Sequence, residues 1–520
     1  MEIPLIDNFY KNNILKELFE EDSKLKNFHN GLSIDSIGLE FLDERDINET
    51  QRKILYNVVN EQYLDAGITC PSNLESIKNK GTFTVTTGHQ LCVFGGPQYF
   101  IHKIISILKL AEQLKEKFQH KNFIPIFWMA SEDHDFKEIS ELHVFNKKLS
   151  IDKEDSVEVG KISPEIFKPI LNQLKEIFKN DERFKTLDAI FSNALNTKSW
   201  SAATRYWLHH IFKNENLIIL DADDHRLKNI FAPVIKKEIE SQFVYNSVSE
   251  TNNSLKKHNF IPKINPRELN LFYLNDDLRQ RIIFEKDTFT IGDKTFNKDQ
   301  LIEELGNAPE RFSPNVLLRP LYQENILPNL IYVGGPSEIS YWAQLKNTFS
   351  MVDLNFPILM LRDHFIWMNE KTIKKWLSFG FSIDDLSKKP ELLIKLNLEK
   401  NSSENLDFNK ENELLNQIQF SLLEKSNAID VSLSQSVEAS VKLTKNTLDK
   451  LQKKFLQAVK RTQDHKVNQI IKISSLVHEN GKLKERSESF ISSYIRHSND
   501  YIEKLKKASN PDVRSLKLVT

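Results

Sequence analysis

Between Pro390 and Pro511 the chain has no proline and one glycine, Gly481. Inside a helix, proline costs about 3 kcal/mol and glycine about 1 kcal/mol relative to alanine, so a stretch of this length almost free of both suits long helices. Within it Leu415, Ile418, Leu422 and Ile429 fall at heptad spacing, with Lys425 in the remaining slot, and Val441, Thr444, Leu448, Leu451, Phe455 and Ala458 form a second run. The register fails in IDVSLSQSVEAS (429–440), where Asp and Ser favour caps and turns. The pattern predicts an antiparallel helical hairpin with its tip near Asp430, with one continuous helix through a stutter as the alternative. An apolar seam of this kind predicts a homodimer.

Before about residue 370 the pattern changes. FTVTT (83–87), IPIFWMA (124–130), NLIILDA (216–222) and NLIYVGG (329–335) are apolar or β-branched runs bounded by turn residues, as buried parallel strands are, and PILMLRDHF (357–365) adds another. Between the first two lies IHKIISILKLAEQLKEKF (101–118), with apolar residues at helical spacing. Strand, helix and strand around a Gly-rich turn predict an α/β fold built on a Rossmann-like, doubly wound parallel sheet. Two insertions interrupt this core of residues 1–370: a helical one at about 150–215 and one at about 265–312, where RIIFEKDTFTIGDKTF (281–296) reads as a β-hairpin around Gly292-Asp293. Residues 371–520 form the helical coiled-coil region.

Lys plus Arg number 71 against 72 Asp plus Glu, so there is no global electrostatic case for nucleic acid or an anionic membrane. The cysteines, Cys70 and Cys92, offer neither a disulfide framework nor a thiolate-rich zinc site, which fits a reducing, cytoplasmic setting. No basic n-region with an apolar h-region opens the chain, and no apolar run approaches the roughly 20 residues that span a bilayer.

In open α/β sheets ligands sit at the carboxyl ends of strands, so the residues after each strand are the informative ones. The first turn, GHQLCVFGGPQYFIHK, offers Gly88, Gly95 and Gly96 for close backbone approach, His89, Gln90, His102 and Lys103 as polar groups, and a helix start for an anion. Its bland reading is a turn whose histidines cap and pack, and Cys92 reads as a small buried thiol. SEDHDF places Glu132, Asp133, His134 and Asp135 together, a costly arrangement without a polar ligand, water or cation. Asp133 and Asp135 share one side if the chain stays extended. DADDHRLK places Asp221, Asp223 and Asp224 before a helix, where capping competes with binding. The fourth end supplies Arg319, Gln323, the Gly334-Gly335 turn, Glu338, Tyr341 and Trp342, and the next strand supplies Arg362 for carboxylate or phosphate.

TTGHQLCVFGGPQYFIHKIISILKLA, PIFWMASEDHDFKEI, FSPNVLLRPLYQENILPNLIYVGGPSEISYWAQL and NGKLKERSESF together resemble the bacillithiol biosynthesis cysteine ligase family, BshC, in the family's order and over nearly the whole chain. The resemblance implies a Rossmann core with two connecting-peptide insertions and a dimerising coiled coil, and a reaction adding L-cysteine to glucosaminyl-malate. One departure is His89, where the family commonly reads TGQQ. GPQYFIHK also resembles a degenerate HIGH motif of class I aminoacyl-tRNA synthetases, with His102 near its second histidine, although no KMSKS-type loop is present. Amide formation needs an activated carboxyl, which implies ATP or another nucleotide as cosubstrate; no metal is expected. His102 and the 88–103 turn would then face a phosphate or oxyanion, Asp133 and Asp135 an ammonium, with His134 beside them, and Arg319 or Arg362 the malate carboxylates. The rivals are a non-catalytic scaffold and a metal-dependent hydrolase or nucleotidyltransferase using Asp133, His134 and Asp135.

Overall fold

Five parallel strands carry the fold: β1 (Thr82–His89), β2 (Asn122–Met129), β3 (Ile218–Asp221), β4 (Asn329–Gly334) and β5 (Ile358–Leu361). They lie in the order β5-β4-β1-β2-β3, every neighbouring pair parallel. The chain moves outward from β1 to β2 and β3, then returns to β4 and β5, so strand order reverses between β1 and β4. That doubly wound topology is the one the sequence predicts. It puts a crevice at the carboxyl ends of β1 and β4.

The computed structural model describes the chain apart from residues 1, 5–8, 10–12, 21, 46, 152–157, 180, 276–277, 402–407, 463, 480–481 and 498–499; Gly481 therefore lies outside the described residues. Two compact units emerge, residues 2–367 with 485–519, and residues 368–484. No described helix is long and apolar enough to cross a membrane.

Central position explains the composition of β1. Every residue in it is buried, so its threonines must find partners inside: Thr84 and Thr86 donate to Asn329 Oδ1 (3.1 and 2.8 Å) and Thr87 to the Val333 carbonyl (2.7 Å). Helix α1 (Tyr99–Lys117) covers the sheet with Ile101, Ile104, Ile105, Leu108 and Leu114, all buried. Each such side chain contributes about 1.5–3 kcal/mol by leaving water.

The first insertion is helical as expected, with Lys168–Ile177 and Phe184–Ala194 leading into α2 (Trp200–Ile211). Helix α3 (His225–Ser241) follows β3. In the second insertion the hairpin at Gly292 exists, but a further turn at Lys286-Asp287, both with positive φ, adds a third strand. A separate sheet pairs Leu271–Asn275 with Leu278–Arg281 and Phe312–Pro314. Helix α4 (Pro336–Trp342) follows β4.

In the helical unit, α5 (Asn409–Ile429) and α6 (Leu433–Thr462) form the antiparallel hairpin, not a continuous helix. Asp430 makes the tip, accepting the Ser432 amide (2.8 Å), while Ser426 and Ser434 face each other at 3.2 Å and Phe408 meets Phe455 at 5.6 Å.

Residues 485–519 belong to the α/β unit rather than to the helical unit in which the sequence reading places them, although two short helices, Phe490–His497 and Tyr501–Ala508, lie among them. Ser515–Val519 forms a strand between Glu2–Pro4 and His364–Trp367. Glu485 sits among three cationic or ionisable partners, Arg362 (2.6 Å), His364 (2.6 Å) and His102 (2.9 Å), with all four side chains at most 2% exposed. Removing one member of a buried pair leaves an uncompensated charge. Glu485→Ala is expected to lower unfolding free energy by about 3–5 kcal/mol in urea titration at unchanged m-value; a loss below about 1 kcal/mol would show that solvent or rearrangement replaces the carboxylate.

Candidate functional site

The carboxyl ends of β1, β2 and β4 open into a cavity of about 710 Å³, within the roughly 300–1,000 Å³ usual for small-ligand sites. Lys103, on the first turn of α1 and 2% exposed, donates to the Gly88 carbonyl (2.8 Å) and lies 2.7 Å from Glu338 of α4. Glu338 also accepts from the Gly335 amide (2.8 Å) and the Tyr332 hydroxyl (2.7 Å). Burial works against its charge, but Lys103 and these donors hold its pKa at about 2. Burial draws the Lys103 ammonium below its ordinary range, with Glu338 opposing.

His89 ends β1 and packs against Tyr99 and Phe100, ring centroids 5.2 Å from each. Its Nδ1 donates to the Gln90 carbonyl (2.9 Å), and burial, aided by the Lys103 charge, lowers its pKa to about 4. The ring is neutral near pH 7, a hydrogen-bonding group rather than an acid. Cys92 is buried, and burial pushes its thiol up to about 12, so it is no thiolate nucleophile.

Carboxylates gather at the ends of β2 and β3. Asp133 accepts from Gln90 Nε2 (2.6 Å) and the His134 amide (2.8 Å), with the Arg279 guanidinium and the His134 ring each 3.6 Å away. Lys228 of α3 bridges Glu132 (2.6 Å) and Asp223 (2.8 Å); burial opposes its charge, but the two carboxylates hold the ammonium above its ordinary range. Arg279 donates to Ser313 and the Pro314 carbonyl (3.1 Å each) and stacks 4.0 Å over Phe272. Arg319 donates to Gln323 (3.2 Å), lies over Trp128 and Tyr332, and makes no ion pair among the described residues.

Of the residues expected at the site, Gly88, His89, Gln90, Lys103, Glu132, Asp133, His134, Asp223, Arg319, Gly335, Glu338, Tyr341 and Arg362 line the cavity. The others do not. His102 is turned into the protein, where Nδ1 meets Glu485 and Phe365 lies edge-on. Asp135 caps the short helix Phe136–Ile139 by accepting the Glu138 amide (3.3 Å), so the chain is not extended there and Asp133, His134 and Asp135 do not converge. Gly95 and Gly96 serve the turn: both have positive φ, and a Cβ would stand 2.8 Å from the Phe490 ring at Gly95 and 2.6 Å from Cys92 at Gly96. Asp221 accepts from Ser131 and the Asp223 amide, and Asp224 caps α3 with Arg226. Gln323 is buried beneath Arg319, Gly334 is pressed against Glu338 and Tyr332, and Trp342 stacks on Tyr332 at 4.0 Å. Arg362 reaches the cavity but its Nη2 is held by Glu485 and its Nη1 donates to the Asp363 carbonyl (2.9 Å). No group of three His, Cys, Asp or Glu side chains able to hold a metal ion exists among the described residues.

Sequence reasoning missed Tyr99, Arg267, Phe272, Arg279 and Arg486, all of which line the cavity. Phe272 and Arg279 stand in an insertion read for its hairpin alone, and Arg486 in the NGKLKERSESF block, which carried no assigned role.

A family model described as "Bacillithiol biosynthesis BshC, N-terminal Rossmann-like domain" matches residues 1–363, and one described as "Bacillithiol biosynthesis BshC, C-terminal coiled-coil domain" matches 365–520. A protein of Flavobacterium johnsoniae named "Putative cysteine ligase BshC" is 36% identical over 520 residues, covering 98% of each chain. Proteins of the same name from Christiangramia forsetii and Staphylococcus haemolyticus are 34% and 26% identical, covering 98% and 92% of this chain and 96% and 92% of theirs. Among solved structures, the crystal structure of Plasmodium falciparum tryptophanyl-tRNA synthetase pairs with 84% of this chain and 97% of its own at 13% identity and a TM-score of 0.19, too low to bear on fold or activity.

A pH prediction comes from His89 and His364, both lowered by burial from 6.5 to about 4. The unfolded chain binds protons at these groups first, so their contribution is intact above pH 6.5 and is lost as pH falls through that window toward 4. Replacing the imidazole in His89→Gln is expected to make the fall in Tm between those pH values shallower; an unchanged slope would place His89 in water.

Proposed function

The chain belongs to the bacillithiol biosynthesis BshC family, and on that premise we propose that its cavity joins L-cysteine to glucosaminyl-malate through an amide bond. The observation that carries this reading is the pairing, in one cavity, of a positioned carboxylate at Asp133 with an arginine, Arg319, that has no ion-pair partner among the described residues. A substrate set with an ammonium at one point and carboxylates at another meets both charges there.

A free carboxylate is a poor electrophile, so the cysteine carboxyl needs activation, for which ATP or another nucleotide is the proposed cosubstrate. The carboxylate oxygen attacks a phosphoryl group of the nucleotide, breaking its phosphoanhydride bond and releasing ADP or pyrophosphate, and the sugar nitrogen then attacks the acyl carbon, expelling the phosphorylated oxygen as phosphate or nucleoside monophosphate and losing a proton. Asp133, fixed by Gln90 and the His134 amide, holds the cysteine ammonium. The His134 ring, 3.6 Å from Asp133, takes the proton from the attacking amine. Lys103 fixes the floor of the crevice through the Gly88 carbonyl and Glu338. Arg319 holds one malate carboxylate; Arg362, committed to Glu485, positions the wall. His102 has no part in the chemistry.

Exposed apolar side chains on the hairpin, Leu414, Ile418, Phe420 and Leu443, support a homodimer formed there, as part of the same reading and of a cytoplasmic enzyme. Light scattering is expected to give twice the chain mass, falling to the single-chain mass in Ile418→Glu/Leu443→Glu; a monomeric parent protein removes this part of the proposal.

Incubation of the purified chain with L-cysteine and glucosaminyl-malate, with and without ATP, is expected to give bacillithiol by mass when ATP is present. Asp133→Asn is expected to lower kcat/KM by about 100-fold or more, in the range general acid–base and charge-positioning groups contribute, while His102→Gln keeps kcat within about threefold. A folded protein that makes no product under either condition contradicts the ligase reading.

A further inference from the structure

Malate carries two carboxylates, and Arg319 accounts for one. Most other cations at the cavity are already engaged: Lys103 by Glu338, Arg279 by Asp133, and Arg362 by Glu485 and the Asp363 carbonyl. Arg267, in the second insertion, also lacks an ion-pair partner among the described residues, but Arg486 is different in following directly on the buried, triply partnered Glu485. It lines the cavity, its side chain is exposed, and it makes no ion pair among the described residues. Its guanidinium lies 5.8 Å from the centroid of Tyr99, the ring that Arg362 also flanks at 5.1 Å.

The backbone on both sides of Arg486 is tied down. Glu485 is locked by Arg362, His364 and His102. Two residues later, the Glu488 carbonyl accepts the Gln98 amide (2.8 Å), and Ser489 pairs with Pro97 and donates to the His143 carbonyl (2.8 Å). A guanidinium carried on a fixed stretch of chain, facing a cavity without a carboxylate partner, is preorganised for an anion from solution, and its planar fork fits a carboxylate.

We propose that Arg486 is a specificity-determining residue that binds the second carboxylate of the aminosugar dicarboxylate, and that Glu485 is the positioning residue that fixes it at the cavity wall. This rests on the ligase reading for the identity of the substrate. It assigns to the returning C-terminal segment a direct part in selecting that substrate, with Arg319 on the β4 side of the crevice and Arg486 on the α1 side.

The test is a binding experiment that needs no turnover. Calorimetry with the full chain, without cysteine or nucleotide, compares glucosaminyl-malate with the glucosaminide of lactate, which lacks one carboxylate. The unaltered protein is expected to favour the dicarboxylate at least tenfold. Arg486→Gln is expected to weaken dicarboxylate binding by about tenfold, which is about 1.4 kcal/mol, leave the monocarboxylate unchanged and so abolish the preference. Arg486→Lys restores part of it. Because Arg486 is exposed, its variants are expected to keep the parent Tm, and a lowered Tm shifts the reading to the preference ratio within each folded variant. The proposal is overturned if Arg486→Gln retains the preference, if ATP affinity falls instead, if the preference disappears in Arg319→Gln alone, or if the unaltered protein does not distinguish the ligands. A protein that shows the Arg486-dependent preference but makes no product with cysteine and ATP keeps this subsite and loses the ligase reading.

Discussion

Lys103 and Glu338 meet at 2.7 Å across the crevice where strand order reverses, and the rim of the cavity is organised around that contact. Lys103 leaves water to make it, while Glu338 keeps a quarter of its side chain exposed at the cavity; burying an ion costs several kcal/mol unless its donors or acceptors are matched. Here the matching is close to complete. The ammonium reaches the Gly88 carbonyl as well as the carboxylate, and the carboxylate takes an amide and a hydroxyl besides. The consequence is mechanical as much as electrostatic: the end of β1, the first turn of α1 and the start of α4 are fixed to one another, so the groups on them face the cavity in a set geometry.

The rest of the site follows from what that frame leaves unsatisfied. Lys228 pairs with Glu132 and Asp223, Lys161 stands 3.5 Å from Asp223, and Glu485 pairs with Arg362, so these charges build walls. Asp133 turns a carboxylate toward the cavity with hydrogen-bond support and the Arg279 guanidinium 3.6 Å away, and Arg267, Arg319 and Arg486 keep guanidinium groups without ion pairs among the described residues. Charges that face the cavity and reach solvent are the ones a ligand can meet, and they define the polarity a substrate must have.

Much of the fold was legible because its signals are local. Buried parallel strands read as continuous β-branched runs, and the loss of heptad register at an Asp-Ser-rich segment marked the hairpin tip at Asp430. The site was legible as a set of strand ends but not residue by residue. His102 and Lys103 are neighbours in sequence, yet successive helical positions point about 100° apart, which sends Lys103 into the crevice and His102 toward the tail. An extended chain would set Asp133 and Asp135 on one side, and the one-turn helix starting at Phe136 removes that geometry. Glu485 lies 383 residues from His102, and no local pattern announces a contact at that separation. Arg279 and Arg486 were hidden for the same reason, since each reaches the cavity from a segment whose own pattern describes only its local structure.

In the proposed reaction the two substrates meet in this one cavity, between Asp133 and the open arginines. A crystal structure of the chain with L-cysteine and glucosaminyl-malate, without nucleotide, tests it most directly. The predicted result is the cysteine ammonium within hydrogen-bond distance of Asp133 and a malate carboxylate on Arg319, with the sugar nitrogen directed toward the cysteine carboxyl. Either substrate seated away from the ends of β1, β2 and β4, or cysteine bound with its ammonium remote from Asp133, would contradict it.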